Sequence, residues 1–449
     1  MNARYFLIAI CIVLFQLTGS TQALHVQIER TAEGNWQLMR GGQPYYIKGV
    51  GGHTQLDKAV SIGANSIRTW STDDAGAILD AAEAHGLTVM LGLWVQHERH
   101  GFDYDDSAKV RAQLDYFTTL VQKYKDHPAL LMWGVGNEVD LAYTNTRVWY
   151  AVNDIAEMIH RIDPAHPTIT VTAGLDPEEV RLIKERAPAI DIYGVNTYGD
   201  IDGVRGNIRN YGWDGPYIIT EWGPNGHWEV AKTQWAAPVE QSSTEKANSY
   251  YQRYRSAIAG DTAQCIGSYV FLWGFKQETT STWYGLFSDN GASSEAVDML
   301  HLLWRGRPPK NRAPILDSAY LEGHIKGADM LIAGNTRAHA QVFVHEPDGD
   351  RLHYVWEVVP ESQDIRSGGD AESRPPALNN IFGNKKGNAF SFRTPKTEGA
   401  YRLFIYTYDR KGHYAYTNIP FYVTPSDPEN PDQPFIQFKK QSLLDAHED

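Results

Sequence analysis

The chain has 449 residues, too many for one ordinary core, so two domains are the natural expectation. Hydrophobic residues make up 42% and charged residues 21%, the balance of a globular chain rather than a disordered or fibrous one. A net charge of −13 gives no field that would draw it to nucleic acid or to an anionic membrane, and leaves neutral partners open.

The first 23 residues have the pattern of an export signal. Arg4 supplies the positive start, Tyr5 to Leu17 is an apolar run of 13 residues, and Thr21-Gln22-Ala23 ends in a small residue suited to cleavage. That run is too short to span a bilayer comfortably, so no stable membrane insertion is expected. Cys11 lacks the small residue before it that a lipid-attachment site needs. The expectation is cleavage after Ala23 and a periplasmic or secreted chain whose single thiol is Cys265, with no internal disulfide.

From residue 44 to about 304, strand and helix signals alternate. Eight β-rich runs occur, at 45–47, 66–70, 88–95, 130–136, 168–172, 190–198, 217–222 and 268–275. Between them lie helical patterns: 74–85 with Gly86 as a stop, 106–125 with Val110, Leu114, Phe117, Val121 and Tyr124 on one face, 146–162, and 294–303 after the eighth run. Eight such units over residues 44–304 match an α/β (β/α)8 TIM barrel. A doubly wound open sheet would want a glycine-rich phosphate turn after its first strand, and Gly49-Val50-Gly51-Gly52-His53 lacks that spacing.

The pattern then changes. Residues 306–312, with Pro308 and Pro309, read as a linker closing a catalytic domain over 24–305. Beyond it, runs such as Ala340-Gln341-Val342-Phe343-Val344 and Tyr401 to Thr407 alternate with period two, separated by turn clusters. Residues 313–424 are therefore expected to form a small all-β immunoglobulin-like sandwich, and the proline-rich, acidic stretch 425–449 a disordered tail.

A barrel presents its reactive groups at the carboxyl ends of its strands. Those ends carry Arg68 and Trp70, Trp94, Asn137 and Glu138, Asn196 and Tyr198, Glu221 and Trp222, and Trp273. Two carboxylates facing one mouth suit glycosidic cleavage, in which one carboxyl must be protonated and the other ionised. Abundant aromatics suit sugars too, since 13 Trp and 25 Tyr offer flat apolar faces with polar edges, although core filling is the other use for them. The long loop 223–243, with Trp228 and Trp235, reads as one wall of a cleft, or as a loop its indoles merely pin down. Lys276, Gln277, Glu278 and Trp283 would form the opposite wall. Packing is the alternative role for Trp94, Tyr198 and Trp273, and loop capping for either carboxylate. His97-Glu98-Arg99-His100 lacks the HExxH helix spacing and 103–106 fails the calcium-loop template, so neither a metal nor any other cofactor is expected.

The run Trp133-Gly134-Val135-Gly136-Asn137-Glu138 resembles the strand-four acid/base motif of the clan of β/α-barrel retaining glycosidases, and Ile218-Ile219-Thr220-Glu221-Trp222-Gly223 resembles its strand-seven nucleophile motif. The two glutamates stand 83 residues apart, on runs four and seven. Segments at 46–50, 65–68 and 284–287 resemble family 2 barrels and fungal β-1,3-glucanosyltransferases, and a barrel followed by an immunoglobulin-like domain resembles bacterial endo-β-1,3-glucanases of family 158. The resemblance implies double displacement on a poly- or oligosaccharide, a β-glucan, with Glu138 as acid/base and Glu221 as nucleophile. It implies that Asn137 meets the sugar 2-hydroxyl and that Arg68 and Tyr198 contact Glu221; by their places at strand ends and in the cleft-wall loops, Trp94, Asn196, Trp228, Trp273 and Trp283 are expected as further sugar contacts. An endo-β-1,3-glucanase is the expected activity. A glucanosyltransferase using the same carboxylates, or a carbohydrate-binding protein on a dead barrel, are the alternatives.

Overall fold

A computed structural model describes residues 24–379 and 383–425; the expected export signal (1–23) and the expected tail (from 426 onward) fall outside the described residues. Eight parallel strands close into a barrel: Ile47–Gly51, Ser66–Arg68, Thr88–Leu93, Leu130–Val135, Thr168–Ala173, Ile192–Asn196, Tyr217–Trp222 and Cys265–Val270. Closure falls between the eighth strand and the first, where Gly267 to Val270 pair with Ile47 to Val50. The chain enters and leaves the eighth strand earlier than the hydrophobic run suggests, which leaves Trp273 past the strand end.

Local chemistry accounts for the helices. Ser107–Tyr124 starts where Asp106 accepts from the amides of Ala108 and Lys109. Ser243–Arg253 starts on a capping box of Ser242 and Glu245. Val148–Ile162 buries Val148, Val152, Ile155 and Ile159 on one stripe, the face its 3.6-residue period dictates. Its contacts and those of the neighbouring helices merge into one core around the barrel.

Sequence patterning missed an antiparallel hairpin, Val26–Arg30 with Trp36–Arg40. It plugs the amino-terminal end of the barrel. Val26 and Leu38 pack among Ile47, Met90, Met132, Ile169, Ile192 and Ile218, and the Trp36 amide donates to Ala263 O at 2.8 Å. One end of the barrel is thereby sealed, and the other is left for chemistry.

The second unit is a sandwich of two five-stranded sheets. One contains His353–Pro360, Gly399–Tyr408 and His413–Thr424, with Leu331–Ala333 parallel to the last. The other runs His324–Ile325, Ile315–Leu321, Arg337–His345, Ala389–Arg393 and Gly383–Lys386. This division of strands between sheets is that of an immunoglobulin fold. Arg337–His345 buries Ala338, Ala340 and Val342 and exposes the residues between them, as period two requires.

The two units are fused. Ser293–Ser294, at the start of the barrel's last helix, joins the edge of the sandwich strand His413–Thr424. Lys246 of the barrel bonds Glu240 at 2.6 Å, and the Asn418 amide of the sandwich reaches the other oxygen of Glu240. Arg402 donates to Pro238 O at 3.0 Å. Even the proline-rich stretch is tied down, with Asn311 donating to Asp409 at 2.8 Å and Arg312 paired with Asp348.

Candidate active site

The carboxyl-terminal mouth of the barrel opens into a cleft of about 1190 Å³. Glu138 reaches it by a turn rather than by strand geometry. Strand four stops at Val135, Gly136 takes φ 82°, and Glu138 itself sits at φ 50°, a left-handed conformation that costs a non-glycine residue on the order of 1 kcal/mol or more. The Glu138 amide is held by Val171 O at 2.8 Å, so the strained backbone is fixed from the neighbouring strand. Glu221 needs no such device, being the fifth residue of strand seven.

The two carboxyls sit in different surroundings. Glu221 Oε1 accepts from Arg68 Nη1 at 3.0 Å and from Trp70 Nε1 at 2.7 Å, and its Oε2 accepts from the Tyr198 hydroxyl at 2.9 Å. Three donors, one of them a buried cation, converge on this carboxyl. Glu138 has one donor, Asn196 Nδ2 at 2.7 Å. Burial, reinforced by the Glu221 charge, pushes the Glu138 carboxyl up to about 7. Of the two, Glu138 is the carboxyl whose surroundings favour the protonated form, which acid-assisted displacement requires of its acid.

Arg68 organises the floor. It is 1% exposed, and besides Glu221 it donates to Thr220 O at 2.6 Å and to the side-chain oxygen of Asn137. Asn196 Nδ2 also donates to Asn137 Oδ1, at 3.2 Å. With its oxygen committed to two donors, Asn137 has only its amide hydrogens to offer the cleft.

Of the residues named from sequence, Trp94, Asn137, Glu138, Asn196, Tyr198, Glu221 and Trp228 line the cleft, with Arg68 directly beneath. Trp228 is 57% exposed and edges onto Tyr198, a flat ring standing at the rim. Two expectations are corrected. Trp273 is buried, donates to Thr54 O at 2.9 Å and packs edge-on against Phe287, because the eighth strand ends three residues before it. Trp283 is buried too, and donates to Asn225 O at 2.9 Å. Both brace the walls instead of meeting a ligand. Trp235 likewise pins its loop, with its ring against Tyr422 of the sandwich.

Trp70 sits at the mouth as its strand position predicts, and its direct bond to Glu221 is the added finding. His97 lies stacked beneath Trp94, with ring centroids 4.8 Å apart, and burial pushes its pKa down to about 4. Ser367 to Asp370, from the sandwich, also line the cleft, a placement that sequence patterning did not suggest. Nothing local could have shown it, since the pairing of Arg99 with Asp370 spans 271 residues.

A closed β/α barrel with two carboxyls at its carboxyl face, an arginine beneath and indoles at the rim resembles the barrels of O-glycosyl hydrolases. More particularly, the barrel is family 2-like: residues 60–234 match the family described as "Glycosyl hydrolases family 2, TIM barrel domain". Among curated proteins the chain is similar to β-glucuronidase of Paenibacillus borealis, 26% identical over 240 residues that cover 44% of this chain and 39% of that one. It is also similar to β-glucuronidase of Sus scrofa, 23% identical over 255 residues, covering 50% and 34%. The chain thus spans little more than a third of the length of these relatives. Among solved structures, β-D-glucuronidase of Dictyoglomus thermophilum aligns with a TM-score of 0.51 at 18% identity, covering 64% of this chain and 54% of that one. Lactobacillus rhamnosus β-glucuronidase aligns with a TM-score of 0.50 at 18% identity, covering 65% and 54%. At that identity the likeness is one of fold.

Proposed function

We propose that this protein is a retaining β-glycoside hydrolase that cleaves a neutral β-glucan, with Glu221 as nucleophile and Glu138 as acid/base. The observation that carries the reading is the asymmetry of the pair: three donors on Glu221, one amide and a raised pKa on Glu138. In the first step a Glu221 oxygen attacks the anomeric carbon, the bond to the leaving oxygen breaks, and that oxygen takes the Glu138 proton. In the second, Glu138 removes a proton from water, which attacks the same carbon and releases Glu221. Asn137, oriented by Arg68 and Asn196, donates to the sugar 2-hydroxyl.

The named relatives act on glucuronides, but the charge of this cleft favours a neutral sugar. Glu138, Asp200, Asp202, Glu221, Glu229, Glu278 and Asp370 line it against one lysine, Lys276. That lysine is already paired with Glu278 at 2.7 Å, and Arg68 is paired with Glu221. A uronate carboxylate would enter a field of its own sign with, among the described residues lining the cleft, no unpaired lysine or arginine to meet it. A volume above the roughly 300–1,000 Å³ of small-molecule sites suits several sugar units and so an endo-acting enzyme, while the β-1,3 linkage rests on the sequence resemblance alone. An exported chain would meet such a polymer outside the cell membrane.

The test is a hydrolysis panel of laminarin, lichenan, cellulose, mannan and galactan, run beside aryl β-glucoside and aryl β-glucuronide. Cleavage of laminarin to oligosaccharides, with a β-anomer formed first, is expected. Turnover confined to the glucuronide would overturn the neutral-substrate reading, and products longer than the substrate would mark a transferase.

A further inference from the structure

Ser367 to Asp370 belong to the sandwich, on the segment between its strands His353–Pro360 and Ala389–Arg393, yet they line the catalytic cleft. Ties on two sides of the mouth hold the segment there. On the strand-three side, Asp370 forms a fork with Arg99, at 2.8 and 3.2 Å, and contacts His100 Nε2 at 3.1 Å. On the strand-eight side, Lys276 Nζ donates to Gly369 O at 2.7 Å, and the Thr279 amide donates to Glu372 at 2.6 Å. The first tie connects to the cleft surface through stacked rings: Trp94 on His97 at 4.8 Å, and His97 on His100 at 5.3 Å.

The segment exposes backbone where a side chain would ordinarily stand. Gly368 and Gly369 take φ +64° and +70°, and a Cβ on Gly368 would lie 2.6 Å from Leu141 Cδ2. The left-handed φ favours glycine at both positions, and a Cβ at 368 would have to push aside the ends of the Leu141 and Arg99 side chains. Among the described residues, neither the Ser367 hydroxyl nor the amides of Gly368 and Gly369 have a protein partner. Donors and an aromatic plane lining one cleft are what a pyranose uses, its hydroxyls taking the polar groups and its apolar face the ring.

We propose that Ser367–Asp370 and Trp94 form a subsite for a further neutral sugar of the chain, beyond the unit held between Glu138 and Glu221. This rests on the glycosidase reading above and deepens it. Asp370 is a positioning residue: it holds the segment against the mouth through Arg99 and His100. The sandwich is therefore part of the specificity apparatus.

The experiment compares wild type, Asp370→Ala and Asp370→Asn on an aryl β-monoglycoside and on β-glucan oligosaccharides of increasing length, with melting temperatures recorded alongside. The loss of kcat/KM in Asp370→Ala should grow with chain length, exceeding the loss on the aryl substrate by about tenfold for the longer oligosaccharides and lying mainly in KM. Asp370→Asn, which still offers Arg99 an acceptor, should recover part of it. A loss equal on all substrates, or no loss on any, overturns the subsite while leaving the catalytic assignment standing. Absence of turnover by wild type on every glycoside overturns the catalytic reading and the subsite with it.

Discussion

Arg68 Nη1 lies 3.0 Å from Glu221 Oε1, and the two side chains are only 1% and 8% exposed. The same guanidinium reaches Thr220 O and Asn137, so one cation pairs with Glu221 and aims the amide beside it. Arg68→Met would leave the Glu221 charge buried without its partner, at about 3–5 kcal/mol. We expect a matching loss of stability in urea together with a large fall in kcat. Arg68→Lys should not restore activity, because a single ammonium cannot span three acceptors in the fork geometry. A methionine variant as stable as wild type would show that the pair is not what holds this floor together.

The two glutamates should separate kinetically. Glu221→Gln removes the proposed nucleophile, and turnover should vanish on every substrate. Glu138→Gln should be slow on natural glycans, whose leaving group needs a proton, and retain more of its glycosylation rate on activated aryl glycosides. Added azide should then accelerate release as a β-glycosyl azide. An α-glycosyl azide, or an α-anomer as the first product from a β-linked glucan, would reverse the retaining assignment and both roles.

Burial and the Glu221 charge raise the Glu138 carboxyl to about 7, and two pH effects follow. Only the protonated acid donates, so kcat/KM should fall as pH rises through that region, and Glu138→Gln should lose this falling limb on aryl substrates. The second effect is on stability. With its folded pKa above the unfolded one, this group's contribution is complete below the ordinary carboxylate range and is lost as pH rises through about 7. Glu138→Gln should therefore gain melting temperature relative to wild type between about pH 5 and about pH 8. A constant difference across that range would mean that the carboxyl titrates normally.

The barrel was legible because its signals are local. Runs and helical stripes alternate, and the asparagine–glutamate and threonine–glutamate pairs fall at strand ends, so Glu138, Glu221, Arg68, Asn137, Asn196 and Tyr198 could be placed at one mouth from spacing and resemblance. Indoles were harder. Trp228 and Trp283 look alike in sequence, yet one stands 57% exposed at the rim and the other is sealed beneath its loop, because the side a loop presents depends on what covers it. The plug hairpin was missed for a related reason: Val26 and Leu38 are buried by the barrel's own floor, and their flanking residues carry no strong alternation. Least legible was the sandwich segment in the cleft, whose contacts join residues far apart in the chain.

The proline-rich stretch 306–312 suggests a hinge between separable domains, and the interface argues for the opposite behaviour. Lys246 and Glu240 are 3% and 0% exposed, 2.6 Å apart, and shared between the barrel and Asn418 of the sandwich. Burial lowers the Lys246 pKa to about 8, so its charge is sustained by Glu240 and by the carbonyls of Thr282 and Trp283. Lys246→Met would strand the Glu240 charge, costing about 3–5 kcal/mol, while the double variant Lys246→Met, Glu240→Leu removes both charges and should recover much of that loss. Because the strand Ser293–Ser294 also crosses into the sandwich sheet, the two units should unfold together. Hydrogen exchange tests this directly: core amides of Leu130–Val135 in the barrel and of Arg337–His345 in the sandwich should open with the same free energy, and Lys246→Met should lower both equally. A fragment ending near Arg312 should aggregate, since it exposes Trp235 and the Glu240–Lys246 pair at once. A soluble, active barrel fragment, or two resolved unfolding transitions in the full chain, would show that the shared ionic core does not couple the domains.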